Sequence, residues 1–175
     1  IQTQDFGSYR SYPEELTYLT TNKVRLQFIS KLIEEIRSGG NTLILVDRIK
    51  SGELLQEEVA GSVFIQGKTK LEEREEEYSE VATEQYKVLI ATYGVASVGI
   101  NLPRIFNLVL LEPGKSFVRV IQSIGRGIRK AQDKDYVQIW DITSSCKYAK
   151  RHLTARKRFY KEAKYPYTVN KVKMI

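Results

Sequence analysis

Residues 122–129 read QSIGRGIR: two arginines three apart, a glutamine four residues before the first, and a glycine on either side of Arg126. A guanidinium stays charged and presents a planar fork of donors that matches phosphate oxygens. Held bare by the glycines, Arg126 and Arg129 have the chemistry to neutralise charge that develops on a transferred phosphoryl group. Alone, the octet also reads as a solvated basic turn at a helix end, because short Arg/Gly runs are common. The elements that would have to hold it decide between the two.

Those elements alternate along the chain. Phe28, Ile29, Leu32, Ile33 and Ile36 recur at helical spacing, after a capping Asn22 and before the Gly39-Gly40 stop. Residues 42–46 (TLILV) form an apolar run of β-branched character between turn signals, the pattern of a buried strand. A short helix is expected at 52–60, a strand at 62–65, and an acidic helix at 70–85 whose Leu71, Tyr78 and Val81 face the sheet. Strands follow at 87–92, 106–111 and 136–141, with a helix from 117 to about 124. Alternating strands and helices predict an α/β fold of three layers, a mostly parallel sheet covered on both faces. Residues 1–22 read as an irregular lead-in or linker, 23–145 as the α/β domain, and 146–175 as a basic helix and tail.

In such sheets ligands bind outside the carboxyl ends of the strands. The suggestive segments fall there: Asp47-Arg48, residues 66–69 (QGKT), residues 93–103, and residues 112–116, which lead into the helix that ends at the octet. Gly67-Lys68-Thr69 imitates the end of a P-loop, but that loop needs a glycine five residues before the last one. Position 62 is Ser, and Gly61 is one residue too early. No Asp-Glu pair follows a hydrophobic strand either, so the chain lacks the means to hold ATP by itself.

Bulk properties narrow the partners. One cysteine and one histidine exclude an intrachain disulfide and argue against structural zinc. No apolar run approaches the roughly 18 residues of a membrane span, and residues 1–10 carry no signal-peptide stretch, so a soluble cytoplasmic protein is expected. The net charge of +7 is concentrated: from Lys147 onward there are ten Lys/Arg and one acid, Glu162. Tyr148, Phe159, Tyr160, Tyr165 and Tyr167 are interleaved with these cations, which suits neutralisation of a nucleic-acid backbone combined with base stacking. An amphipathic helix with its aromatics in the core is the other reading.

Three segments together carry a family resemblance. Residues 42–48 resemble motif IV of superfamily-two helicases, residues 91–103 (ATYGVASVGINLP) motif V, and residues 122–129 motif VI, Q-x-x-G-R-x-x-R. Order and spacing resemble the second RecA-like domain of such enzymes over residues 24–142. The resemblance implies an ATP-dependent DNA helicase whose P-loop domain is absent from this chain, with ATP and Mg2+ bound mainly by that first domain. It implies arginine fingers at Arg126 and Arg129, assisted by Gln122, and contact of Gly99 and Asn101 with the nucleotide. Many relatives have Asp where Asn101 stands, so a carboxylate role is ruled out there. Thr92 matches a motif V threonine that contacts nucleic-acid backbone, and Arg48, Lys68 and Thr69 occupy equivalent strand-end loops. DNA, including RNA–DNA hybrids, is the implied partner, together with the N-terminal RecA-like domain; no membrane partner is implied. A non-catalytic nucleic-acid-binding or adaptor module with the same fold is the alternative. A G-x-x-x-x-G-K-[ST] and an Asp-Glu pair upstream of Ile1 would discriminate in favour of the helicase.

Overall fold

The computed structural model describes all residues except 6, 70, 82, 99–103, 115, 116, 128–136 and 175; the side chains of 71 and 125–127 also lie outside the description. In chain order the elements are β1 (Gln2–Thr3), α1 (Tyr12–Thr21), α2 (Lys23–Arg37), β2 (Thr42–Val46), α3 (Ile49–Glu58), β3 (Val63–Ile65) and α4 (Leu71–Val81). Then follow β4 (Val88–Thr92), α5 (Tyr93–Ser97), β5 (Asn107–Leu111), α6 (Phe117–Gly127), β6 (Gln138–Ser144), α7 (Lys147–Glu162) and β7 (Lys171–Val172). The seven strands form one sheet in the order β3-β4-β2-β5-β6-β1-β7, and every pair is parallel.

All five residues of β2 and of β5 are buried, as continuous apolar strands covered on both faces must be. Alternation divides their side chains between two cores. Ile44, Val46, Ile90, Val109 and Leu111 pack with Ile29, Ile33 and Ile36 of α2 and Leu55 of α3. Leu43, Leu45, Leu89, Leu108 and Leu110 pack on the other face with Tyr78 and Val81 of α4, Val95 of α5, and Phe117, Val120, Ile121 and Ile124 of α6. Each core buries more than ten apolar side chains, each contributing about 1.5–3 kcal/mol against conformational entropy of similar total size.

Polar side chains pin the amino edge of the sheet. The Asn41 amide nitrogen donates to the carbonyls of Val81 and Glu84 (2.9 and 2.8 Å), and its oxygen accepts from the Lys87 N–H (2.8 Å). Asn107 donates to the Ile36 carbonyl (3.0 Å) and accepts from the Trp140 indole (3.1 Å). Gly40 has φ +135°, and a Cβ there would meet the Phe106 ring at 2.6 Å. Only glycine satisfies both conditions at this turn.

Residues 1–22 are not an irregular lead-in. β1 lies between β6 and β7, and α1 is a ten-residue helix capped by Ser11, whose hydroxyl accepts from the Glu14 N–H (3.4 Å). A two-residue strand shows no periodicity, and α1 buries only Glu15, Leu16 and Leu19, so its sequence resembles a loop. The tail also joins the sheet through β7. α7 borrows its N-terminal cap: Cys146 supplies none, and the buried Glu15 carboxylate accepts from the N–H groups of Tyr148 and Ala149, each at 2.9 Å.

Candidate functional site

Because all the strands are parallel, their carboxyl ends share one edge of the sheet. Val46 is level with Thr92, Ile65 with Ala91, and Leu110 with Leu45. Asp47-Arg48, residues 66–69, Thr92 and Glu112 therefore line this edge, as the strand assignments predict.

Thr92 is the N-cap of α5: its Oγ1 accepts from the Val95 N–H (3.2 Å). That leaves the hydroxyl proton available to donate to an anion. The sequence leaves open that Thr92 caps a helix, and α5 is that helix, although five residues containing Gly94 carry too little periodicity to declare it. It matters for the site because it is fastened at both ends. The Tyr93 phenol donates to the Leu111 carbonyl at the end of β5 (3.0 Å), and Ser123 Oγ on α6 donates to the Ser97 carbonyl (3.2 Å). Helices α5 and α6 are thus locked to each other and to the sheet.

On α6, Phe117, Val120, Ile121 and Ile124 turn into the core while Val118, Arg119 and Gln122 are exposed. Gln122 is therefore presented to solvent. Arg126 sits in the last turn of α6, one turn beyond Gln122, and its side chain lies outside the described residues. Arg129, Gly99 and Asn101 also lie outside the described residues.

The remaining strand-end residues divide. Lys68 is exposed. Thr69 closes a turn instead of projecting: its Oγ1 accepts from the Gln66 N–H (3.0 Å). Arg74, which sequence reasoning missed, gathers the carbonyls of Gln66, Gly67 and Thr69 at 2.8–3.2 Å. Arg48 is engaged by α1, donating to Thr17 Oγ1 (2.7 Å) and the Pro13 carbonyl (3.3 Å). Its guanidinium holds α1, a contact that an irregular segment over residues 1–22 would not provide.

Two buried arginines hold the loop that launches α6. Arg25 pairs with the Glu112 carboxylate and donates to Thr3 Oγ1 (3.2 Å) and the carbonyls of Leu19 (2.8 Å) and Thr143 (3.2 Å). Arg156 forms a fork on Asp141 (2.7 and 2.9 Å) and donates to the Pro113 carbonyl (2.9 Å). Residues 112 and 113 are clamped between them. Glu112 has φ +48°, a left-handed conformation uncommon for a non-glycine residue, so the surrounding contacts hold this turn.

Burial, opposed by Arg25, pushes the Glu112 carboxyl up to about 7. The folded state then binds this proton more tightly than the unfolded state, where the pKa is about 4.3. Its contribution is complete below about pH 4 and is lost as pH rises toward 7. We expect wild-type stability to carry a negative slope from this group of about 1 kcal/mol per pH unit between pH 5 and 7. Glu112→Gln should flatten that slope in denaturant titrations at several pH values; an unaltered slope would refute the assignment.

The donors at this edge are hydroxyl, amide and ammonium groups, which fit phosphate oxygens. No group of three metal-ligating side chains occurs among the described residues. No helix among them is long and apolar enough to cross a membrane.

Residues 24–131 match the helicase conserved C-terminal domain family. The chain belongs to this family. The ATP-dependent DNA helicase uvsW of Enterobacteria phage T4 is 25% identical over 155 residues, 86% of this chain and 31% of that protein. A protein of the Sulfolobus islandicus filamentous virus is 38% identical over 104 residues, 57% of this chain and 18% of that protein. The crystal structure of T4 UvsW matches with a TM-score of 0.80 at 20% identity, covering 99% of this chain and 40% of that one. S. cerevisiae Dbp5 bound to RNA and ADP BeF3 matches with a TM-score of 0.62 at 17% identity, covering 99% and 41%. The fold is RecA-like, and this helicase C-terminal domain spans about a third or less of the length of the curated relatives it matches.

Proposed function

We propose that this chain is the second motor domain of an ATP-dependent DNA helicase or translocase, cytoplasmic in a phage-infected host, that remodels branched DNA and R-loops in recombination, repair and replication. The observation that carries the reading is the fastening of α5 to α6 through Ser123 and Ser97. It joins the two helices that carry the segments resembling motifs V and VI. The likeness to T4 uvsW supports DNA as the polymer, and RNA–DNA hybrids fall within the same backbone chemistry.

ATP is assigned to a cleft between this domain and an upstream P-loop domain that also holds Mg2+. Arg126 and Arg129 act as fingers that stabilise charge on the transferred phosphoryl group, and Gln122 positions them or the phosphate. Gly99 allows backbone to approach the nucleotide closely, and Asn101 offers an amide to ribose or phosphate. The Thr92 hydroxyl and the Lys68 ammonium serve as backbone contacts. Thr69 shapes the loop that carries Lys68, and Arg48 contributes by holding α1. Closure of the cleft moves the two sets of strand-end loops along one strand.

The test is ATP turnover by the full-length protein with and without DNA across a salt series. Stimulation that fades steeply with salt is expected, because backbone contacts release counterions. DNA binding without ATP turnover would favour the binding-module reading, and turnover indifferent to DNA would contradict the helicase reading.

A further inference from the structure

The interleaved cations and aromatics of the last 29 residues separate once α7 is folded. Ala149, Leu153, Arg156 and Tyr160 are buried against the domain. At about 100° per residue, Lys147, Lys150, Arg151, Arg158 and Lys161 fall within an arc of roughly 100° on the opposite side. All five are exposed, and no carboxylate pairs with them among the described residues. The row is about 21 Å long at 1.5 Å per residue. It begins beside the carboxyl edge of the sheet, where β6 ends, and runs back along the domain.

The aromatics are elsewhere. Phe159 and Tyr160 pack edge-on against Phe117, and Tyr165 and Tyr167 lean on Tyr160 with centroids 6.5 and 5.7 Å away. Tyr148 stacks on Tyr12 at 6.0 Å, beneath Lys147 and Arg151 at 5.5 and 5.8 Å from its ring. Single-strand sites combine cations with stacking platforms. Tyr165 and Tyr167 remain 43% and 47% exposed, but they lean on Tyr160 from the buried side of α7, so the row itself offers cations and no open ring, which matches the regular phosphate line of a duplex.

We propose that the outer face of α7 is a second nucleic-acid site that binds the backbone of duplex DNA beside the strand gripped at the sheet edge. It rests on the helicase reading for its choice of DNA, and its geometry stands independently. A row of this kind adds affinity without sequence preference and holds the duplex flank of a junction against the motor.

The experiment compares the full-length protein with its Lys150→Ala/Arg158→Ala/Lys161→Ala variant, all three positions being solvent-exposed. The slope of log affinity against log salt for a blunt duplex should become shallower by about 3, near one per cation removed. Single-strand binding and DNA-free ATP turnover should stay within about twofold. A Lys150→Arg/Lys161→Arg version should keep the wild-type slope. An unchanged duplex slope in a variant with an unchanged thermal midpoint would overturn the site. A loss as large on single strands would overturn its assignment to duplex. Absence of DNA-stimulated turnover in the wild type would instead defeat the helicase reading and leave the slope comparison valid by itself.

Discussion

Arg126→Ala in the full-length protein is expected to lower DNA-stimulated ATP turnover by about a thousandfold or more, with Arg129→Ala close behind. A guanidinium that stabilises transition-state charge on a phosphoryl group supplies about 10³–10⁵ in turnover because it acts where water is excluded. The effect belongs to the chemical step, so affinity for ATP should fall far less than turnover. Lysine at either position restores a point charge and loses the fork, so Arg126→Lys should recover only part of the activity. A loss confined to KM, with kcat intact, would reassign both residues to ground-state binding.

Arg156→Met should destabilise the fold by about 3 kcal/mol, a large share of the 5–15 kcal/mol typical of a domain. The guanidinium is buried with only 2% of its side chain exposed, and it neutralises Asp141, which is 14% exposed. Removing it leaves that carboxylate with the Tyr160 hydroxyl (2.8 Å) and strands the Pro113 carbonyl. Methionine fills similar volume, so the cost isolates the unpaired charge. Adding Asp141→Leu should recover much of it, since replacing a buried pair with apolar groups is often neutral. Arg25→Met is expected to cost less despite equal burial, because the Glu112 carboxyl already titrates near 7 and can take up a proton. Urea titrations at pH 7 measure both; a smaller loss for Arg156→Met than for Arg25→Met would contradict this ranking.

The parts of the fold that were legible in the sequence are those whose burial is continuous. β2, β4 and β5 declare themselves as apolar runs, and α2 as a repeat of Ile29, Ile33 and Ile36 behind a capping Asn22. Elements made by distant partners were not legible. β1 and β7 are two residues each; β1 exists because β6 offers an edge, and β7 because β1 then offers the next. α7 is capped by Glu15, more than 130 residues away. Arg25, Arg156 and Glu15 are buried, whereas charged residues ordinarily read as surface. At the site, sequence located the strand-end loops through the parallel topology. It does not show that Arg48 is taken by α1, or that the cations of α7 turn outward while Phe159 and Tyr160 pack into the core.

The clearest single measurement is MgATP hydrolysis by the separate 175-residue chain, checked as folded by circular dichroism, against the full-length protein at saturating DNA. Arginine fingers without a phosphate-holding partner complete a site they cannot build, so the separate chain should show no turnover while the full-length protein hydrolyses ATP in a DNA-dependent manner. Hydrolysis by the separate chain would contradict the division of the active site between two domains.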